Sequence, residues 1–125
     1  MAIRLKALSG TYAIARLDAA DRIPDWADCG GFVSISRTED ELSIVCLQEH
    51  IPNGVRNDEN WSCFKFEGPF AFDETGVVLS VIAPLSTNGI GIFVVSTFDG
   101  DHILIKADDV LRSLDLLEQA GHSFV

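Results

Sequence analysis

Shifted by 60 residues, this chain falls partly onto itself, and no other feature limits its possible folds as much. Pro24 falls on Pro84, Gly31 on Gly91, and Phe32-Val33-Ser34-Ile35-Ser36 on Ile92-Phe93-Val94-Val95-Ser96. Glu41 falls on Asp101, and Ile44-Val45 on Leu104-Ile105. The offset breaks before Pro24, where the first connection is longer. It breaks again after Lys106, where the first half has QEHIPNG in place of a helix. Neither half of a 125-residue chain can bury a sheet face alone, so the two must share a sheet or a helical layer.

The second copy, residues 76–106, is the clearer one. VVLSVI, from Val77, is a short apolar run rich in β-branched side chains, which predicts a buried strand. Pro84 ends it, having no amide for a ladder, and suits the first turn of a helix over Leu85 to Asn88. Gly89 and Gly91 stop that helix. IFVVSTF and HILIK follow as strands, with Asp99-Gly100 as the hairpin turn between them. Strand, short helix and hairpin make half of a ferredoxin-like unit.

The first copy reads similarly. GTYAIARL (residues 10–17) is a strand, and Ile23 to Ala27 a short helix entered through Pro24 and stopped at Gly30-Gly31. FVSISRT and ELSIVCLQ are strands around a Glu39-Asp40 turn. PNGVRNDEN, residues 52–60, is polar and turn-rich, hence a surface loop. WSCFKF is a further strand, and Gly68-Pro69 turns the chain into its second half. One long helix follows Lys106, capped by Asp108 with Asp109 beside it. Its apolar stripe is Val110, Leu114, Leu117 and Gly121, widened by Leu111 and Ala107, and Gly121 suits its stop. HSFV adds an edge strand. The expected fold is α+β: tandem ferredoxin-like βαββαβ halves, antiparallel sheets covered by helices on one face. Their bounds are 1–67, with its second helix reduced, and 68–125.

Composition narrows the function. A formal charge of -10 with nine Lys and Arg argues against nucleic acid and against an anionic membrane surface. No apolar run approaches the roughly 20 residues that span a bilayer, and MAIRLKALSG lacks the apolar core of a signal peptide. Cys29, Cys46 and Cys63 form no CxxC pair, which points to free thiols in a reducing, cytoplasmic compartment. Cys46 and Cys63 lie within apolar strands as core thiols, and Cys29 has no paired base. His50, His102 and His122 show no HExxH spacing, and there is no Walker A and no GxGxxG. Asp99, Asp101 and His102 make a poor metal site, because strand alternation separates neighbours. No catalytic residue, metal or cofactor is expected.

SGTYAIARL, IPDWADCGGFVSISRTEDELSIVC and IAPLSTNGIGIFVVSTFDGDHILIKADDV together resemble small bacterial proteins built of paired ACT domains. The second half is also similar to part of the CASTOR-type arginine sensors and, more distantly, to the regulatory ACT domains of aspartokinases. The resemblance covers nearly all of the chain and is most specific in GIGIFVVSTFDGDHILI. It implies βαββαβ modules that bind amino acids or other small effectors, usually at an interface between two such domains. In the arginine sensors an acidic residue just before the third strand of the last domain contacts the ligand, which Asp101 matches. The family's strand-to-helix loop falls at Ala83-Pro84-Leu85-Ser86. The first half departs by lacking its second helix.

The residue chemistry can be weighed on its own. A free amino acid needs an anion site and a cation site close together. Amides at the start of a helix over Leu85 to Asn88 receive a carboxylate, and Asp101 receives an ammonium. Gly89 and Gly91, with Ile90 between them, let a ligand approach the backbone, and Ser96 lines the pocket. The plainer alternatives are an ordinary hairpin with a solvated Asp101, a helix stop and strand start at the two glycines, and Ser36 and Ser96 as polar residues on the less buried face. The expected ligand site is Asp101, Pro84, Leu85, Ser86, Gly89, Ile90, Gly91 and Ser96. The expected function is a non-catalytic regulatory module that binds a free amino acid, with acidity slightly favouring a basic one. Too few helices to cover the sheet imply a homodimer. The alternative is a protein-interaction module with a vestigial pocket.

Overall fold

The computed structural model describes residues 1–68, 70 and 74–125, and its chain divides into two units. One is Ser9–Trp61; the other joins Met1–Leu8 to Ser62–Val125. Pro69, in the expected turn after Gly68, lies outside the described residues. The elements in chain order are β1 (Arg4–Ala7), β2 (Tyr12–Leu17), β3 (Ser34–Arg37), β4 (Leu42–Leu47), β5 (Asn57–Phe66), α1 (Val77–Ser86), β6 (Ile92–Ser96), β7 (Asp101–Lys106), α2 (Val110–Gln119) and β8 (Ser123–Phe124). The fold is α+β, built on the ferredoxin-like plan.

In unit Ser9–Trp61 the strands run β3-β4-β2-β5 across an antiparallel sheet. A 3-10 helix, Asp25–Asp28, follows Pro24 and contributes Ala27 to a core of Ala15, Leu42, Ile44 and Cys46. A second short 3-10 helix, Gln48–His50, stands where a ferredoxin-like unit would place its second α-helix. Residues 52–60 are not all loop, because β5 begins at Asn57 and pairs Asn57 with Ala15 and Asp58 with Ile14. Polar side chains conceal such a strand, since main-chain pairing holds it while those side chains face water. Its register slips opposite Tyr12 and Ile14, where Asn60 takes a left-handed φ of 68°. The Asn60 amide donates to Gln48 Oε1 at 2.7 Å, which satisfies the bulged backbone.

The other unit orders its strands β6-β7-β5-β1-β8. β1 is not among the strands expected from the sequence. It runs antiparallel to β5 (Leu5 opposite Phe66) and parallel to β8 (Leu5 opposite Phe124). VVLSVI is not a strand but the first part of α1. Val77, Val81 and Leu85 fall four residues apart and are the buried face of that helix. Burial against Leu5, Phe64, Phe66, Ile103, Ile105 and Leu117 overrides the β preference of branched side chains, which are only mildly poor helix formers. Pro84 therefore sits inside the last turn of α1 instead of opening a helix. Leu85 and Ser86 end α1, and Gly89, at φ 77°, is the stop.

Pro84 also explains a histidine. Having no N–H, it cannot bond the carbonyl four residues back, Ser80 O. That oxygen is taken instead by His122 Nε2, 2.7 Å away. His122 Nδ1 in turn accepts the Ile3 amide at 2.9 Å, so the buried ring joins α1, β1 and the start of β8.

α2 starts after Asp109, without a side-chain cap, and Asp108 belongs to the 3-10 turn before it. Its buried face is Ser113 and Leu117, with Val110, Leu114 and Leu116 packed alongside. Leu111 does not widen that face, being 84% exposed, and Ala107 is exposed too. The repeat is also corrected by one residue. Both hairpins have four-residue connections, closing on Arg37 opposite Leu42 and on Ser96 opposite Asp101. Thr38 N bonds Glu41 O in one, and Thr97 N bonds Gly100 O in the other. Within the hairpins the structural offset is thus 59. Asp101 corresponds to Leu42 and not Glu41, and Ser96 to Arg37 and not Ser36.

Candidate functional site

Two features of the second unit create a cavity of about 290 Å³. The first is the start of α1. Gly76 enters the helix at φ 80°, and among the described residues no side chain caps it. The first internal bond runs from Ser80 N to Gly76 O, so the amides of Val77, Val78 and Leu79 have no helical acceptor. No carboxylate occupies the first turn, so the helix itself supplies none to the positive end of its dipole. The second feature is the β6–β7 hairpin, whose last pair is Ser96 and Asp101. Ser96 Oγ donates to Asp101 Oδ1 at 2.5 Å, which fixes that carboxylate and leaves Oδ2 to accept from elsewhere. Glu74 is a second carboxylate on the lining, and Leu79 and Phe98 form an apolar rim, 64% and 77% exposed. The volume is at the small end for ligand pockets. Amides and carboxylates on facing walls can hold opposite charges of one small molecule.

The expected site residues separate into two groups. Asp101 and Ser96 are brought together and line this cavity. Pro84, Leu85, Ser86, Gly89, Ile90 and Gly91 lie at the far end of α1, about 15 Å away at 1.5 Å per residue. Leu85 and Ile90 are core side chains, so the carboxylate amides expected after Leu85 do not exist as a helix start. Gly76, Val77, Val78 and Leu79 are the residues that sequence reasoning missed. A glycine followed by apolar residues at four-residue spacing was the available signal.

Elsewhere, burial lowers the pKa of His102, with Lys65 adding to that and Asp101 opposing. The imidazole is thus neutral near pH 7. Burial pushes the Cys63 thiol up to about 12 and raises Cys46, assisted by Cys29. Cys29 is exposed. Among the described residues no three His, Cys, Asp or Glu side chains cluster as metal ligands. No helix among them is long and apolar enough to cross a membrane.

Comparison with known proteins places this geometry. A solved Agrobacterium tumefaciens protein is 68% identical, covering all of this chain and 93% of its own, with a TM-score of 0.96. The mouse protein named cytosolic arginine sensor for mTORC1 subunit 1 is 29% identical over 116 residues, 81% of this chain and 35% of that protein. The chain thus spans about a third of the length of the curated relatives it matches. Escherichia coli aspartokinase III, solved with aspartate and ADP, shares the fold at 10% identity and a TM-score of 0.66, over 94% of this chain and 32% of that one. A model described as an N-terminal domain matches residues 10–54, and the ACT domain model matches residues 56–119. The chain belongs to the ACT domain family.

Proposed function

We propose that this chain is a cytoplasmic, non-catalytic regulatory module that binds a free amino acid in the cavity between the start of α1 and the β6–β7 hairpin. The observation that carries it is the pairing of open α1 amides with a fixed Asp101 carboxylate on one small cavity. The α-carboxylate sits at the helix start and the α-ammonium at Asp101. Glu74 adds a second carboxylate, which favours a basic side chain, as does the net charge of -10. A relative named for arginine sensing supports that preference. The exposed rim of Leu79 and Phe98 is suited to burial by a second copy, giving a homodimer with isologous contacts.

A thermal-shift panel of the twenty amino acids tests the reading. At roughly 100 times the dissociation constant a ligand adds about 2.7 kcal/mol, and Asp101→Ala should abolish that shift while leaving the ligand-free midpoint close to wild type. A wild-type protein that no amino acid stabilises would instead favour an interaction module. A shift that survives Asp101→Ala would place the ligand elsewhere.

A further inference from the structure

On the face of the β5–β1 pair away from the α1–α2 core, two lysines stand opposite each other. Lys6 on β1 and Lys65 on β5 are direct antiparallel partners, so their side chains share a face. The hydrogen bonds Glu67 N to Arg4 O and Leu8 N to Cys63 O flank them two residues away on either side. This alternation makes Lys6 and Lys65 a closely bonded pair, about 5.5 Å apart at Cα. Like charges directly opposite destabilise a sheet. Both lysines are exposed, and neither has an ion-pair or hydrogen-bond partner among the described residues. Asp99, on the cavity that Lys65 lines, and Glu67, two residues after Lys65, carry nearby negative charge, yet among the described residues neither closes an ion pair with these lysines.

Lys65 also lines a second cavity, of about 600 Å³, with His102, Thr97 and the Gly68 and Gly100 backbone. Asp99 stands on the same lining and is exposed, so its carboxylate repels an anion at that side and leaves the Lys65 side as the attractive one. The nearness of Lys65 contributes to keeping the His102 imidazole neutral, and a neutral ring can still donate one N–H.

We propose that Lys6 and Lys65 form the cationic end of a second site, which takes a small dianion in the groove beside His102. Two ammonium groups one strand apart match two negative charges on one small molecule, and its binding relieves their mutual repulsion. The site lies on different residues from Asp101 and Ser96 and does not depend on amino-acid binding there.

The probes are inorganic phosphate and succinate at millimolar concentration, each compared with sodium chloride at equal ionic strength so that screening is matched. Wild-type protein should gain thermal stability beyond the chloride control with one probe or both. A response to phosphate alone assigns a phosphate group, and a response to succinate alone a dicarboxylate. Lys6→Gln and Lys65→Gln should each weaken the titration roughly tenfold, as expected for losing a charged hydrogen bond. The double variant should lose the response, yet melt no lower than wild type in chloride, because the repulsion is gone. A wild-type midpoint no higher than in chloride would overturn the proposal, and so would an equal gain in the double variant. NMR shifts confined to residues other than Lys65, His102 and Thr97 would overturn it too.

Discussion

His122→Ala should be among the most damaging single changes in this protein, and the structure gives its size. The ring is buried and serves two main-chain groups at once, the Ile3 amide and the Ser80 carbonyl. Leaving each unpaired costs about 1–3 kcal/mol, and the vacated space adds to that, for a total of about 3–5 kcal/mol. A chain of 125 residues has roughly 6–19 kcal/mol in all at about 0.05–0.15 kcal/mol per residue. The midpoint should therefore fall by roughly 10–20 °C. The sharper test is Pro84→Ala, which gives Ser80 O back its helical donor. In the His122→Ala background that amide fills an empty acceptor and should recover about 1 kcal/mol more than the same change recovers in wild type. Any general gain from removing an internal proline is common to both backgrounds and cancels in the cycle. Urea unfolding followed by circular dichroism and tryptophan fluorescence measures all four proteins. If Pro84→Ala has the same effect in both backgrounds to within about 0.5 kcal/mol, then His122 is not substituting for the missing proline amide.

Leu117→Ala should cost about 2–5 kcal/mol, whereas Leu111→Lys, earlier on α2 and on its exposed face, should stay within about 0.5 kcal/mol; similar urea midpoints for the two would contradict the helix face described. His102 has a folded pKa below its ordinary value of 6.5, through burial first. The unfolded chain then takes up the proton more readily, so this contribution is complete above pH 6.5 and is lost as the pH falls below it. Urea midpoints should drop less on acidification in His102→Gln than in wild type, and parallel slopes would refute this. Maleimide labelling of native protein should add one adduct, at Cys29, because Cys46 is buried and Cys63 is buried with its thiol pushed up to about 12. Labelling in denaturant should reach all three, and rapid native modification of Cys63 would show that the β5 face opens.

Both hairpins and the C-terminal helix were legible because alternation, Asp99-Gly100 and the Val110–Leu114–Leu117 spacing are local signals. Asp101 stands out through the family resemblance and its place at the start of a strand, and Ser96 through a match to Ser36 that the hairpin registers move to Arg37. α1 was not legible, because VVLSVI offers β-branched apolar residues on every side, and a six-residue window cannot separate a buried strand from a buried helix. Its buried members, Val77, Val81 and Leu85, separate only over the whole ten-residue helix, and Pro84 masked that continuity. The misplacement of α1 puts the expected carboxylate amides over Leu85 to Asn88, where the structure has the end of α1 and not a helix start. β1 escaped notice because RLKA has one apolar residue to bury, Leu5, and is held by pairing with β5 and β8, two segments distant in sequence.

The offset of 59 decides what the first unit can do. At the position of Asp101 it has Leu42, buried in its core. At the position of Ser96 it has Arg37, whose guanidinium bonds the Ala19 carbonyl. Where α1 stands in the second unit, the first has four residues of 3-10 helix, too short to build a helix dipole, with Asp25 and Asp28 already in that turn. The carboxylate that would take an ammonium and the open helix start that would take a carboxylate are both absent there, replaced by an apolar side chain and an internally bonded arginine. The two units thus keep the same hairpin, down to the threonines at 38 and 97 that bond the carbonyls of Glu41 and Gly100. They differ at the two positions proposed to face a ligand. One binding event per chain follows for the Asp101 type of site. Calorimetric titration with whichever amino acid stabilises the protein should return a stoichiometry of one, and a value of two would mean that Leu42 and Arg37 do not close the first unit to a zwitterion.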